Sequence, residues 1–195
     1  MSSLYEQNPS LLLENPEIAE EFKKIMVYKK FPKGSLLCKA GTICNHLYII
    51  NSGITRMFYF KEDKDVTVHF CTEKDSASVF ESYVKRKKSK FNIEALEDVE
   101  AMELSFFDIE NLLIENPKFE RFIRLFVQQL HVNLIERIND LHFHNARERY
   151  EKLFAKKPEL FQRVPLKHLA SYLNITPETL SRIRGNTTNG NRVIL

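Results

Sequence analysis

The chain has 195 residues, 43% of them hydrophobic and 28% charged, with a formal net charge of +3. That balance suits a folded globular chain and excludes a disordered or low-complexity one. No apolar run nears the roughly 20 residues of a membrane span, and Met1–Gln7 lacks the basic start of a secretory signal, so a cytoplasmic protein without membrane contact is expected.

Residues 9–26 carry Leu11, Leu12, Ile18, Phe22, Ile25 and Met26 near a 3.6-residue period, which predicts helix. Pro16 suits a helix start, so the segment can divide there. From about 27 to 105 the period falls to two. His46–Asn51 is a β-rich run broken by Gly53, and Ile54, Arg56, Phe58 and Phe60 share one face of the next. After a polar turn at 61–65, Val66, Val68 and Phe70 face one way and Thr67, His69 and Cys71 the other. This pattern predicts an antiparallel sandwich or roll. Cys38, Cys44 and Cys71 form neither an even disulfide framework nor a four-thiolate cluster within one chain. Cys44 with His46, and His69 with Cys71, would make four soft metal ligands only if their strands were neighbours. Ordinary strand residues are the simpler reading, and no metal or other cofactor is expected.

Asp108–Glu115 reads as a short helix ended by Asn116-Pro117. The following helix, 118–143, carries an apolar stripe of Phe119, Ile123, Phe126, Leu130, Leu134, Ile138 and Leu141. So long a seam needs a partner. Its own domain can cover it, or the same helix of a second chain can, and Phe122, Leu125 and Val127 widen it enough for both. Three shorter helical pieces follow, at 147–156, 165–173 and 176–184. This last quarter is basic: residues 145–195 hold ten Lys/Arg against four acids.

Leu166, Leu169, Ala170 and Leu173 make one apolar face, and Leu173-Asn174-Ile175 makes a tight connection. Thr176 is a good N-cap and Pro177 a good first helical residue. Leu180 and Ile183 point inward. Glu178, Thr179, Ser181, Arg182 and Arg184 remain outside. A helix-turn-helix needs this arrangement, with the exposed start of its second helix in the major groove. Arg there can take guanine, Glu can accept from cytosine, and the backbone N–H groups at the cap can hold a phosphate. A helical hairpin with a polar face is the alternative.

Two stretches resemble the Crp/Fnr family of bacterial transcription regulators: Phe31–Gly53, with Gly34, Gly41 and Gly53 at turns, and Ile175–Ile183 in the helix-turn-helix. The resemblance covers essentially the whole chain. It implies an α+β protein: an N-terminal antiparallel, jelly-roll-like β-roll of the cyclic nucleotide-binding type (1–116), a dimerisation helix (117–144) and a helix-turn-helix DNA-binding domain (145–195). It further implies a homodimer on a palindromic operator, with RNA polymerase and an unidentified small-molecule effector as further partners. DNA contacts fall on Lys167, Thr176, Glu178, Thr179, Ser181, Arg182 and Arg184, and dimer contacts on the stripe from Phe119 to Leu141. Pro177 departs from the arginine expected there. Gly185–Leu195 is short for the family's β-wing, which leaves two alternatives, a truncated or minimal wing turning at Asn189-Gly190 or a disordered tail. The effector cassette also departs. Glu81 stands without its glycine, and Lys88-Ser89-Lys90 replaces Arg-Ser-Ala, so cyclic AMP is not the expected ligand even if Glu81, Lys88 and Ser89 line the site. Lys85–Lys88 suits another anion or a solvated loop. The rival reading is a ligand-binding or interaction module whose helix-turn-helix no longer reads DNA. With no nucleophile–base pair, Walker glycine loop or HExxH motif, an enzyme is not expected.

Overall fold

The computed structural model describes residues 16–116 and 118–190. In chain order the elements are α1 (Pro16–Ile25), β1 (Met26–Phe31), β2 (Leu36–Cys38), β3 (His46–Ser52), β4 (Thr55–Lys61), β5 (Lys64–Cys71), β6 (Ser76–Ala77), α2 (Phe80–Lys85), β7 (Asn92–Ala95), β8 (Val99–Ser105), α3 (Phe106–Glu115), α4 (Lys118–Phe143), α5 (Ala146–Lys156), α6 (Leu160–Arg163), α7 (Leu166–Tyr172) and α8 (Pro177–Gly190). The roll is α+β, as the alternation predicts, with two antiparallel four-stranded sheets ordered β1-β8-β3-β6 and β2-β7-β4-β5. Tyr48, Ile50, Cys71, Ile93, Val99 and Ala101 help fill the space between them. At Gly53 φ is +95°, and an added Cβ would stand 2.6 Å from the Asp98 carbonyl oxygen, so a side chain is excluded there. The polar turn tightens to Glu62 and Asp63, both left-handed, and β4 and β5 flank it directly.

Met26 opens β1 instead of closing a helix, because it pairs with Leu104 of β8. The part of the predicted first helix before Pro16 lies outside the described residues. Among the described residues, no helix is long and apolar enough to cross a membrane.

A second cluster covers the outer face of the β2-β7-β4-β5 sheet. Ile54, Phe70 and Leu96 of the roll pack with Tyr150, Leu160, Phe161, Val164, Leu169, Ala170, Leu173 and Leu180 of the C-terminal helices. That sheet is therefore buried on both faces, which is why Thr55 and Arg56, neighbours in sequence, are both buried. A third cluster seats Phe22 of α1 on Phe119 and Phe122 of α4, with ring centroids 5.8 and 5.1 Å apart.

Here the expected dimer stripe divides. Phe119 and Phe126 are buried within their own chain, and Ile123 and Leu130 are half-buried. They have little surface left for a partner, because α1, α3 and the roll cover that half of the helix. Leu134, Ile138 and Leu141 are exposed, as are Val127, Val132, Ile135 and Phe143.

The tail also corrects the sequence reading. Residues 185–190 continue α8 as helix, so Asn189-Gly190 is no hairpin turn. A mid-helix glycine costs only about 1 kcal/mol relative to alanine, and Gly185 does not take the left-handed conformation that would stop the helix. Residues 191–195 lie outside the described residues.

Candidate nucleic-acid interface

The helix pair forms as its residues dictate. Leu169, Ala170, Leu173 and Leu180 are essentially inaccessible and fix α8 across α7. Ala170 admits the close approach, and its carbonyl accepts the Ile175 N–H at 3.0 Å. The chain reverses at Asn174, whose φ of +53° is the left-handed conformation expected of that residue. Thr176 Oγ1 then accepts the Thr179 N–H at 3.2 Å, capping α8.

The outer side of α8 is open. Thr176, Glu178, Ser181 and Arg182 are exposed, Thr179 and Arg184 are half-buried, and Lys167 is exposed on α7. The Glu178 carboxyl is held below its ordinary range, first by its own backbone N–H and then by the Thr176 hydroxyl, so it is ionised and acceptor-only at neutral pH. The face thus offers a carboxylate, three hydroxyls and guanidinium donors beside a capped helix start. That set can hydrogen-bond base edges and a phosphate.

The back of this unit is fixed to the roll by polar contacts that sequence reasoning missed. Arg56 of β4 is buried. Its guanidinium donates to Asp65 at 2.5 and 2.7 Å, to Glu94 at 2.8 Å, to the Thr67 hydroxyl at 3.2 Å and to His168 Nδ1 at 2.9 Å. Arginine can only donate, so Nδ1 is the acceptor and the ring proton sits on Nε2. Burial first, then the Arg56 charge, holds His168 below its ordinary pKa, which keeps the ring neutral. Nearby, Ser171 Oγ accepts the Thr67 N–H at 2.9 Å and donates to the Asp65 carbonyl at 3.2 Å. At the rim Arg163 clamps Glu73, at 2.6 and 3.1 Å, together with Glu97. Lys157 reaches Asp75 and, at 3.2 Å, the Thr72 hydroxyl. The available signal was Arg56 itself, an arginine in register with Ile54 and Phe58 on an apolar strand.

The proposed effector residues stand in different surroundings. Glu81 is exposed on α2 and pairs with Lys85 at 3.1 Å. Lys88 is exposed, whereas Ser89 is buried, its hydroxyl donating to the Phe91 carbonyl at 2.7 Å and accepting the Phe91 N–H at 2.9 Å. Cys44 and His46 belong to one side of the roll and His69 and Cys71 to a strand of the other sheet. Among the described residues no group of three or more His, Cys, Asp or Glu side chains is placed to hold a metal ion.

The model of the cyclic nucleotide-binding domain family matches residues 28–116, the stretch that holds the roll. No curated protein sequence matches the chain significantly. Among solved structures, a variant of CooA from Carboxydothermus hydrogenoformans superposes with a TM-score of 0.68 at 20% identity, over 94% of this chain and 85% of its own. CLP, the c-di-GMP-responsive global regulator of Xanthomonas campestris, gives 0.68 at 16% identity, over 89% and 91%. A protein described as a transcriptional regulator of the Crp/Fnr family, from Eubacterium rectale, gives 0.65 at 14% identity, over 90% and 85%. The chain as a whole has the fold of the Crp/Fnr regulators, the resemblance its sequence carries.

Proposed function

We propose that this protein is a homodimeric, sequence-specific DNA-binding transcription regulator. The observation that carries the reading is the open face after the Thr176 cap: Glu178, Ser181 and Arg182 face solvent on a helix anchored from behind by the fully buried Leu180. In this reading Arg182 and Glu178 contact base edges, Thr176 and Thr179 a phosphate, and Lys167 and Arg184 the backbone nearby. The exposed seam of Leu134, Ile138 and Leu141 supports pairing through α4 with a second copy. Two reading helices would then lie about 34 Å apart, one DNA turn, over an inverted repeat. RNA polymerase and a small effector complete the set of partners. The effector is not cyclic AMP, because Glu81 is engaged with Lys85 and Ser89 with Phe91 on a glycine-free segment.

A salt titration of binding to duplex DNA tests this. Phosphate contacts impose a log–log slope of about −0.9 per contact, so affinity should fall steeply from 50 to 200 mM salt. Arg182→Ala should weaken the preferred site by about 1–3 kcal/mol and relax one base position. Salt-insensitive association, or an unaltered preference in that variant, contradicts the assignment.

A further inference from the structure

We infer that Arg137 and Arg149 are positioning residues for DNA reading: they lock the turn of the helix-turn-helix to the end of α4, and so set the half-site spacing that the dimer accepts. Spacing specificity of this kind rests on the DNA-binding reading above, but it comes from residues behind the base-contacting face. The last carbonyls of a helix find no partner within it. In α7, those of Leu169, Ala170 and Ser171 accept the N–H groups of Leu173, Ile175 and Asn174 inside the turn. The next two go to arginines of other helices. The Tyr172 carbonyl accepts from Arg137 of α4, and the Leu173 carbonyl accepts from Arg149 Nε of α5 at 3.0 Å. The last turn of α7 holds no basic residue of its own, so these cations also face the negative end of its dipole.

Each arginine has a second hold. The Arg137 guanidinium lies over the Tyr172 ring, 3.9 Å from its centroid, and that ring packs on Phe70 of the roll at 5.3 Å. Arg149 Nη1 donates to the His144 carbonyl at 2.5 Å, in the short link between α4 and α5. Lys152 with Asp140, and Lys156 with Glu136, tie the same two helices together. The gripped residues, 172 and 173, immediately precede the reversal at Asn174 and the Thr176 cap. Arg137 also stands beside Ile138 of the exposed seam. Two turns of one helix thus carry both the surface proposed for pairing and the grip on the entry to the reading helix.

One added base pair moves a half-site by about 3.4 Å and turns it by about 35°. To follow it, α8 has to rotate against α4. That motion pulls the Tyr172 and Leu173 carbonyls off their donors and the guanidinium off its ring. Both arginines are half-buried, so water replaces these contacts only in part.

The test uses the full-length protein and duplexes with two inverted copies of the half-site it selects, the spacer changed one base pair at a time. The wild type should prefer one spacing by about tenfold over its neighbours, and Arg137→Ala and Arg149→Ala should level that preference to within about twofold. The selected half-site sequence and the salt slope should stay those of the wild type, since Lys167, Glu178 and Arg182 are untouched. Tyr172→Phe, which keeps the ring, should retain the wild-type profile, and Tyr172→Leu should level it; this pair decides if an arginine variant does not fold. A wild type without a spacing optimum, an optimum that survives Arg137→Ala, or weakening that is uniform at every spacing overturns the positioning role alone. A wild type that selects no sequence refutes the DNA-binding reading, and the positioning role with it.

Discussion

Replacing Arg56 with alanine probes the join between the roll and the helix-turn-helix most sharply. The side chain is only 5% exposed and makes five hydrogen bonds, to two carboxylates, a hydroxyl and an imidazole. Removing one member of a buried ionic cluster costs about 3–5 kcal/mol, because the partners are left charged and unpaired. Water reaches the freed carboxylates, since the Asp65 and Glu94 side chains are 32% and 24% exposed, so a loss near 3 kcal/mol is expected. That is a large part of a domain's usual stability of about 5–15 kcal/mol. Urea unfolding gives the loss, and Arg56→Ala combined with Asp65→Asn should recover part of it, with a coupling of about 1 kcal/mol or more. Hydrogen exchange adds a spatial readout: α7 should lose protection, because His168 and Ser171 face the altered strands. A loss below about 1 kcal/mol with α7 protection unchanged would refute the idea that this cluster ties the two parts together.

Three further outcomes are expected. Leu180→Ala should destabilise the protein by about 2–5 kcal/mol, read by thermal or urea unfolding, because the leucine is fully buried between α7 and α8. Leu134→Glu with Ile138→Glu should give a folded monomer by sedimentation at almost unchanged stability, since both side chains are exposed within one chain. Acid should weaken the fold in two stages, read from unfolding free energy against pH. His168 has a lowered folded pKa, so its contribution is complete above 6.5 and is lost as the pH falls below that value. Glu73, held down to about 2 chiefly by the Arg163 guanidinium, contributes fully above 4.5 and loses that contribution as the pH falls toward 2. Its side chain is 36% exposed, so solvent screening leaves this second stage on the order of 1 kcal/mol. Glu73→Gln should flatten the lower stage and His168→Gln the upper; stability rising from pH 7 to 5 would contradict the upper stage, and stability unchanged from pH 4.5 to 2 the lower.

Local chemistry made much of this molecule legible. The two-residue period between 27 and 105 marked the roll, and the spacing from Phe119 to Leu141 marked α4. The turn at Asn174 and the cap at Thr176 could be placed because each rests on a preference confined to a few residues. Contacts between distant parts were not legible. Phe119 and Leu134 have the same place in the periodicity, yet α1 and the roll bury one and leave the other bare. Arg56 meets His168, and Thr67 meets Ser171, across more than 100 residues of sequence, and nothing local at any of them names its partner. Gly185 carried a stop signal too weak to end α8.

Selection of bound sequences from a pool of random duplex DNA with the purified protein tests the central claim most directly. Enrichment of an inverted repeat, its half-sites separated by about one helical turn and lost with Arg182→Ala, is the result this account predicts. A pool that stays random after repeated rounds, with protein still folded and dimeric, contradicts it.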